Sequence, residues 1–282
     1  MSWWAIDVRT SPDLRDRLGA WLVARTGQAV EERDDGTLVT FAPDERAADE
    51  LIAEIAGAAE AGGPEAGAPE TSRRKIEPVD WTTRWRDGLG VRSFGRLTVT
   101  PSWADPARTD GPVVVLDPET AFGSGEHGST RVALALLERR VRPGDRVLDL
   151  GSGSGILALA AVKLGAARAI GIENDPEANV VALRNAERNG LSHLVEFLDG
   201  DAGDLAPLLG PADLVLSNIL RSANTTLLPA ISAALGQDGL AIFSGMEVDE
   251  AALFAPALAA AGFTVMDERT DTGWWGVAVR RR

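Results

Sequence analysis

Val147-Leu148-Asp149-Leu150-Gly151-Ser152-Gly153-Ser154-Gly155-Ile156-Leu157-Ala158 decides the fold of this chain. A short apolar run reads as a strand, glycines follow at three alternate positions, and an apolar helix begins at once. Glycine lets the backbone turn sharply with no Cβ in the way, so a ligand can lie against the main chain. The helix behind it directs unpaired N–H groups and the positive end of its dipole at that ligand. This order of elements predicts a nucleotide or nucleoside site, with Asp149, Gly151, Gly153 and Gly155 around it.

The same alternation continues outward toward the C-terminus. Strands are expected at 146–150, 169–173, 195–198, 213–217 and 240–244, with helices at 156–164, 176–189, 222–235 and 249–261. Pro176 suits the first turn of its helix. Strands and helices in regular alternation imply a parallel sheet covered on both faces. The end differs: 263–269 and 274–279 read as strands joined by Asp271-Thr272-Gly273, a hairpin that makes one edge antiparallel. The expected fold class is therefore α/β, a mostly parallel sheet finished by an antiparallel hairpin.

Toward the N-terminus the pattern changes. A strand at 3–8, a helix at 13–26 with Leu14, Leu18, Trp21 and Leu22 at helical spacing, hairpin strands at 29–32 and 37–41 around Asp34-Asp35-Gly36, and a helix at 44–59 after Pro43 form a small α/β unit. It carries no convergent polar cluster and reads as a recognition module. Residues 61–71 are rich in Gly, Pro, Ala and Glu, the composition of a flexible or extended linker. A strand–helix–strand stretch follows over 73–103, in which Trp81, Trp85 and Trp103 read as packing anchors. The expected organisation is a recognition domain at 1–60, a linker and connecting segment at 61–104, and a nucleoside-binding domain at 105–282.

At 282 residues the chain has room for about two domains. No apolar run approaches the ~18 residues of a membrane span, and Met1–Asp7 lacks the basic start and apolar stretch of a signal peptide. A cytoplasmic protein with no membrane association is expected. The absence of cysteine agrees with that and excludes disulfides and thiolate metal sites. A net charge of −14 argues against direct nucleic-acid binding, which needs a basic face. A basic protein partner fits such a field better, although solubility alone also accounts for it.

The ligand is narrowed by residues at the other strand ends. Gly153-Ser154-Gly155-Ile156-Leu157-Ala158 satisfies the relaxed dinucleotide pattern, so the loop by itself suits a nicotinamide cofactor as well as a nucleoside. Glu173 ends the next strand, where a carboxylate accepts from ribose hydroxyls. Asp199 and Asp201 follow the third strand, within reach of an adenine amino group. Ser217-Asn218-Ile219-Leu220 follows the fourth, and an amide with exposed carbonyls there suits a neutral donor nitrogen. Upstream, Asp117-Pro118-Glu119-Thr120-Ala121-Phe122-Gly123-Ser124-Gly125-Glu126-His127-Gly128-Ser129-Thr130 precedes an apolar helix. Ser129 and Thr130 also suit helix capping, and His127 reads equally as a base or as a satisfied loop histidine.

Four ordered motifs, 117–130, 148–155, 171–176 and 218–220, together resemble the bacterial methyltransferases of ribosomal protein L11. The Trp-Arg and Pro-Ser-Trp elements between Trp81 and Trp103 are similar to that family's linker and early catalytic region. The resemblance covers about 76–280 well and the first 60 residues loosely. It implies the class I methyltransferase (Rossmann-like) fold with a seven-stranded sheet, S-adenosyl-L-methionine as cofactor, and methylation of lysine and N-terminal amines on a basic ribosomal protein. It further implies a small N-terminal domain that docks the substrate; a monomer is expected. Thr130, Gly151, Glu173 and Asn218 are the implied cofactor contacts, with Phe122 lining the cofactor and acceptor site. The chain departs from the family at Glu173, usually Asp, and across Ser124–Thr130, commonly Thr-Gly-Thr-His-Pro-Thr-Thr.

Methyl transfer from a sulfonium to a neutral amine needs no metal and little acid–base help, because positioning supplies most of the acceleration. Asn218, Ile219 and Leu220 are the expected catalytic group, orienting the nitrogen. Three other readings remain open at this point: a methyltransferase of the same fold acting on another protein or a small amine, a nicotinamide-dependent oxidoreductase, and a cofactor-binding scaffold with no catalysis.

Overall fold

The computed structural model describes residues 3–26, 30–32, 36–60, 69–76, 88–104 and 111–282. The chain folds as two units, 1–84 and 85–282.

In the first unit, β1 (Trp3–Arg9), α1 (Pro12–Thr26), β2 (Glu31–Glu32), β3 (Leu38–Ala42), α2 (Glu45–Glu60) and β4 (Glu70–Ile76) follow the expected order up to the last strand. The sheet order is β2-β3-β1-β4, antiparallel throughout. Ile6 and Val8, two apart on β1, meet Leu18 and Leu22 of α1 and Leu51 and Ile55 of α2 in one buried core. Strand β4 corrects the expected linker, because residues 70–76 pair with β1 in full register from Trp3↔Ile76 to Arg9↔Glu70. Its sequence, Glu-Thr-Ser-Arg-Arg-Lys-Ile, has no apolar alternation because it is a polar edge strand, a common way to blunt an exposed edge. Arg73 anchors it to α2 through Glu45 at 3.0 Å and Asp49 at 2.9 Å. The linker residues 61–68, the turn residues Asp34 and Asp35, and Trp81 and Trp85 lie outside the described residues.

The second unit starts earlier than expected. Here β5 (Arg92–Phe94) and β6 (Leu97–Thr100) form a small sheet with β7 (Val113–Val115), β6 and β7 lying parallel from Thr98↔Val113 to Thr100↔Val115. That pairing draws 92–100 into this unit instead of leaving them in a connector, and Trp103 is 42% exposed. Then come α3 (Gly128–Arg140), β8 (Arg146–Leu150), α4 (Ile156–Lys163), β9 (Arg168–Glu173), α5 (Pro176–Arg188), β10 (Val195–Asp199), α6 (Ala202–Leu209), β11 (Ala212–Asn218), α7 (Arg221–Ala234), β12 (Leu235–Glu247), α8 (Ala251–Ala260), β13 (Phe263–Asp271) and β14 (Trp274–Arg281). Helix α6 was not expected. Its eight residues are capped by Asp201, which accepts from Gly203 N at 2.7 Å, and Pro207 within it masks the helical signal.

The seven-stranded sheet has the order β10-β9-β8-β11-β12-β14-β13. The first five strands are parallel, and β14 runs antiparallel to both of its neighbours, β12 and β13, as the terminal hairpin implied. This is the class I methyltransferase architecture. Successive residues point to opposite faces: Leu214 and Leu216 of β11 join one core with α3 and α4, while Val215 joins the other with α7 and α8. Strand order reverses between β8 and β11, so the crevice beyond their carboxyl ends is a topological switch point, where open α/β sheets place their ligands.

Candidate active site

A cleft of about 690 Å³ opens at that switch point. Gly151 and Gly153 form part of its wall, together with Glu173, Asp201, Asn218, Ile219, Leu220 and Phe122. Eight of the eleven residues expected at the site therefore converge on one cavity. Thr130, Asp149 and Gly155 do not line it.

The glycine loop owes its shape to left-handed turns at Gly151 (φ +70°) and Gly153 (φ +51°). A Cβ at Gly153 would stand 2.6 Å from the Phe122 carbonyl, and one at Gly151 would stand 2.6 Å from Ile219 Cγ2. The loop is thus pinched between two chain segments, and only glycine keeps its backbone open to a ligand. The upstream segment is fastened to it: Ser154 N donates to Phe122 O at 2.9 Å and Ser154 Oγ to Gly123 O at 2.6 Å. Asn185, fully buried on α5, adds Nδ2 bonds to Ser154 O at 3.0 Å and Asp117 O at 3.1 Å. This bracing holds Phe122 at the cleft although its ring is 56% exposed.

Glu173 receives three backbone N–H groups, Gly153 at 2.9 Å, Asn174 at 2.9 Å and Asp175 at 3.1 Å. Its carboxylate bridges the glycine loop and the start of α5, with acceptor capacity left toward the cleft. Asp201 lines the cleft while capping α6, so both readings of it hold together. Asp149 lies behind the loop, 1% exposed, and accepts from Ala158 N at 3.0 Å. It shapes the first turn of α4 instead of facing the cavity. Burial above all, with the negative Glu173 adding, raises its carboxyl to about 7, against the hydrogen bond from Ala158.

Asn218, at the end of β11, is 9% exposed. Its Nδ2 donates to the buried Thr130 Oγ at 3.3 Å, which places Thr130 behind the amide as an orienting group. Its Oδ1 is buried without a partner among the described residues and belongs to a cleft-lining side chain. An unpaired buried acceptor is costly, so this oxygen is suited to an incoming N–H. The carbonyls of Ile219 and Leu220 are already engaged, by Asn224 Nδ2 and Asn224 N, each at 2.9 Å. Asn224 also accepts from Ser217 Oγ at 2.7 Å and donates to Ser244 O at 3.0 Å, fixing the whole 217–220 turn. Sequence reasoning missed it, since a polar residue in the first turn of a helix reads as a solvent-facing position.

His127 lies at the same end of the cleft. Its ring is 4.4 Å from Trp274 and 5.3 Å from Phe122, and its Nδ1 is 2.8 Å from Ser129 Oγ. Burial, then the nearby Arg131 cation, lower its pKa and favour the neutral imidazole. It is a component of an aromatic wall.

The donor set fits an adenosine-bearing sulfonium. Glycines leave the backbone bare, Glu173 and Asp201 stand at the β9 and β10 ends, and an unpartnered amide oxygen waits at the β11 end. A sequence model of the family described as ribosomal protein L11 methyltransferase matches residues 15–282. Among curated relatives, the ribosomal protein L11 methyltransferase of Pelotomaculum thermopropionicum is 41% identical over 211 residues, 74% of this chain and 68% of that protein. The one of Chloroflexus aurantiacus is 38% identical over 270 residues, covering 87% and 82%. Among solved structures, a ribosomal protein L11 methylase from Lactobacillus delbrueckii subsp. bulgaricus superposes with a TM-score of 0.62 at 32% identity, over 68% of this chain and all of that one. On this agreement of fold, site and sequence, the chain belongs to the ribosomal protein L11 methyltransferase family.

Proposed function

We propose that this protein transfers methyl groups from S-adenosyl-L-methionine to amine nitrogens, lysine side chains or the N-terminus, of ribosomal protein L11. The observation that carries the reading is a cleft-lining Asn218 whose buried Oδ1 has no partner among the described residues, beside the bare Gly151–Gly153 backbone. The relatives named above act on that ribosomal protein by their names, and a chain of charge −14 is suited to a basic partner. The location that goes with this partner is the cytoplasm.

Gly151, Gly153, Glu173 and Asp201 would hold the nucleoside part of the cofactor. When bound, it supplies an electrophilic methyl group on a positively charged sulfur. The chain's own residues have two tasks. The first is to favour a neutral amine, since a free lysine near pKa 10.4 is neutral only about once in a few thousand at pH 7. A cleft lined by Phe122, Ile219, Leu220 and Trp274 disfavours the ammonium by desolvation. The second is alignment: Asn218 Oδ1 accepts an amine N–H and so turns the lone pair toward the methyl group. The displaced proton passes to water at the open mouth of the cleft, and no side chain has to act as a strong base. The first unit, 1–84, serves as the docking module for the protein substrate.

The test is incubation with methyl-labelled S-adenosylmethionine and ribosomal protein L11, followed by mass spectrometry. Label on L11 amines is the expected result. Label on other proteins or on small amines only would overturn the substrate, and a chain that bound NAD but not S-adenosylhomocysteine would overturn the reaction.

A further inference from the structure

We propose that Arg131 is a positioning residue that holds Trp274 in place as the acceptor-side wall of the cleft. The inference rests on the methyl-transfer reading above, and it concerns residues to which that reading gives no role.

The two ends of the cleft are distinguished by topology. Glu173 and Asp201 lie at the ends of β9 and β10, on one side of β8, whereas Asn218 and Trp274 come from β11 and β14 on the other side. The β11 side is therefore the acceptor side, and Trp274 is its outer aromatic surface.

Trp274 is the first residue of β14, directly after the Thr272-Gly273 turn. Its ring rests on His127 at 4.4 Å and over Gly128 at the start of α3. A Cβ on Gly128 would run into Trp274 Cδ1 and stand 2.9 Å from Thr272 Oγ1, so the hairpin sits on a position that only glycine leaves open. Thr272 itself has φ +44°, a left-handed conformation unfavourable for a β-branched residue. Something must hold it there.

Arg131, one turn into α3, does so with every nitrogen of its guanidinium. Nε donates to Asp271 Oδ2 at 2.7 Å, Nη2 to Thr272 Oγ1 at 2.7 Å, and Nη1 to the Glu126 carbonyl. The fork thus ties two consecutive turn residues of the hairpin to the loop that carries His127. Glu126 is itself fixed, its carboxylate accepting from Arg92 at 2.8 Å and Gly90 N at 3.2 Å. From the opposite direction Val248 N donates to Gly273 O at 2.9 Å. Trp274 therefore leaves a turn clamped on both sides, and Arg131 supplies two of the three bonds named to it. A lysine carries its three donors on one nitrogen and cannot span acceptors that meet three separate guanidinium nitrogens.

The experiment is a double-mutant cycle on the full-length protein with Arg131→Met and Trp274→Ala, using L11 as acceptor and S-adenosylhomocysteine as the cofactor-side probe. Arg131→Met is expected to raise the acceptor KM, or lower kcat/KM, by roughly ten- to a hundredfold. The S-adenosylhomocysteine Kd should stay within about twofold, and the double variant should be no worse than Trp274→Ala alone. A second readout needs no turnover: in ligand-free protein labelled with fluorotryptophan, the Trp274 fluorine resonance, assigned by its loss in Trp274→Phe, should shift or broaden in Arg131→Met. Thr272→Val, which removes only the hydroxyl, should act in the same direction with smaller size and serves if Arg131→Met does not fold. Multiplicative effects in the cycle, an unmoved Trp274 resonance, or equal losses of acceptor and cofactor affinity would each overturn the proposal. If the wild type methylates no L11, the reading above fails, and the fluorine resonance alone decides the role of Arg131.

Discussion

The Glu173 carboxylate accepts a 2.9 Å hydrogen bond from the backbone N–H of Gly153, so the residue expected to hold a ribose also holds the glycine loop. One side chain at the end of β9 sets the spacing between the two walls of the nucleoside pocket. Glu173→Ala should therefore weaken S-adenosylhomocysteine binding by about 1–3 kcal/mol, through lost charge-assisted bonds and a loosened loop together. Glu173→Gln retains a neutral acceptor for Gly153 and should lose less. Titration calorimetry checks both, and unchanged affinity in Glu173→Ala would remove the ribose assignment.

Asn218 separates binding from chemistry. Its Oδ1 has no partner among the described residues, and its Nδ2 is held by Thr130. Asn218→Ala should lower kcat by roughly a hundredfold, the size typical of losing one group aligned for the transition state. The S-adenosylhomocysteine Kd should change little. Thr130→Val removes the anchor of the amide, not the amide itself, and should give a smaller loss in kcat. Full turnover in Asn218→Ala at unchanged cofactor affinity would leave the amine to some other acceptor.

Asn224 is the support that the sequence concealed. It is fully buried and bonds to Ser217, Ile219 and Ser244 at once. Asn224→Ala strands three polar groups inside the fold and should destabilise it by about 2–4 kcal/mol in urea melts. The 217–220 turn should loosen with it, so kcat should fall in this variant even where the protein remains folded.

These residues show where legibility ended. The glycine loop and the alternating strands were readable because periodicity and backbone permissiveness are local properties. Glu173 and Asn218 were readable because strand ends at a switch point are where ligands lie. Asn224 and Arg131 were not, since their partners are contributed by other elements: Ser244 on β12 for one, the β13–β14 turn for the other. Asp149 was placed at the ligand because it sits beside Gly151 in sequence. Along a strand covered on both faces, neither hydrophobicity nor spacing says which neighbour faces the cleft. The start of β4 at Glu70, inside the expected linker, was hidden for the converse reason, its polar side chains carrying no trace of a pairing made by the backbone.

Asp149 makes its own prediction, through pH. Its carboxyl is raised from 3.8 to about 7, chiefly by burial. Below about pH 4 the folded and unfolded chains both carry its proton, and this group then adds no pH dependence. Between about pH 4 and 7 the folded protein keeps a proton that the unfolded chain releases. Stability is therefore lost as pH rises through that window, by up to about 1.4 kcal/mol per pH unit. Above about 7 the loss is complete, because the buried group ionises in both states. Asp149→Asn, which can still accept from Ala158 N but does not ionise, should be no more stable than wild type at pH 4. It should gain on it progressively toward pH 8 in urea melts. Glu173→Gln provides the control on cause: removing the nearby negative charge should lower the carboxyl's folded-state pKa, so that the slope still begins near pH 4 but ends at lower pH, with a smaller total loss. A stability difference between Asp149→Asn and wild type that stays constant from pH 4 to 8 would show that the carboxyl does not titrate in this range.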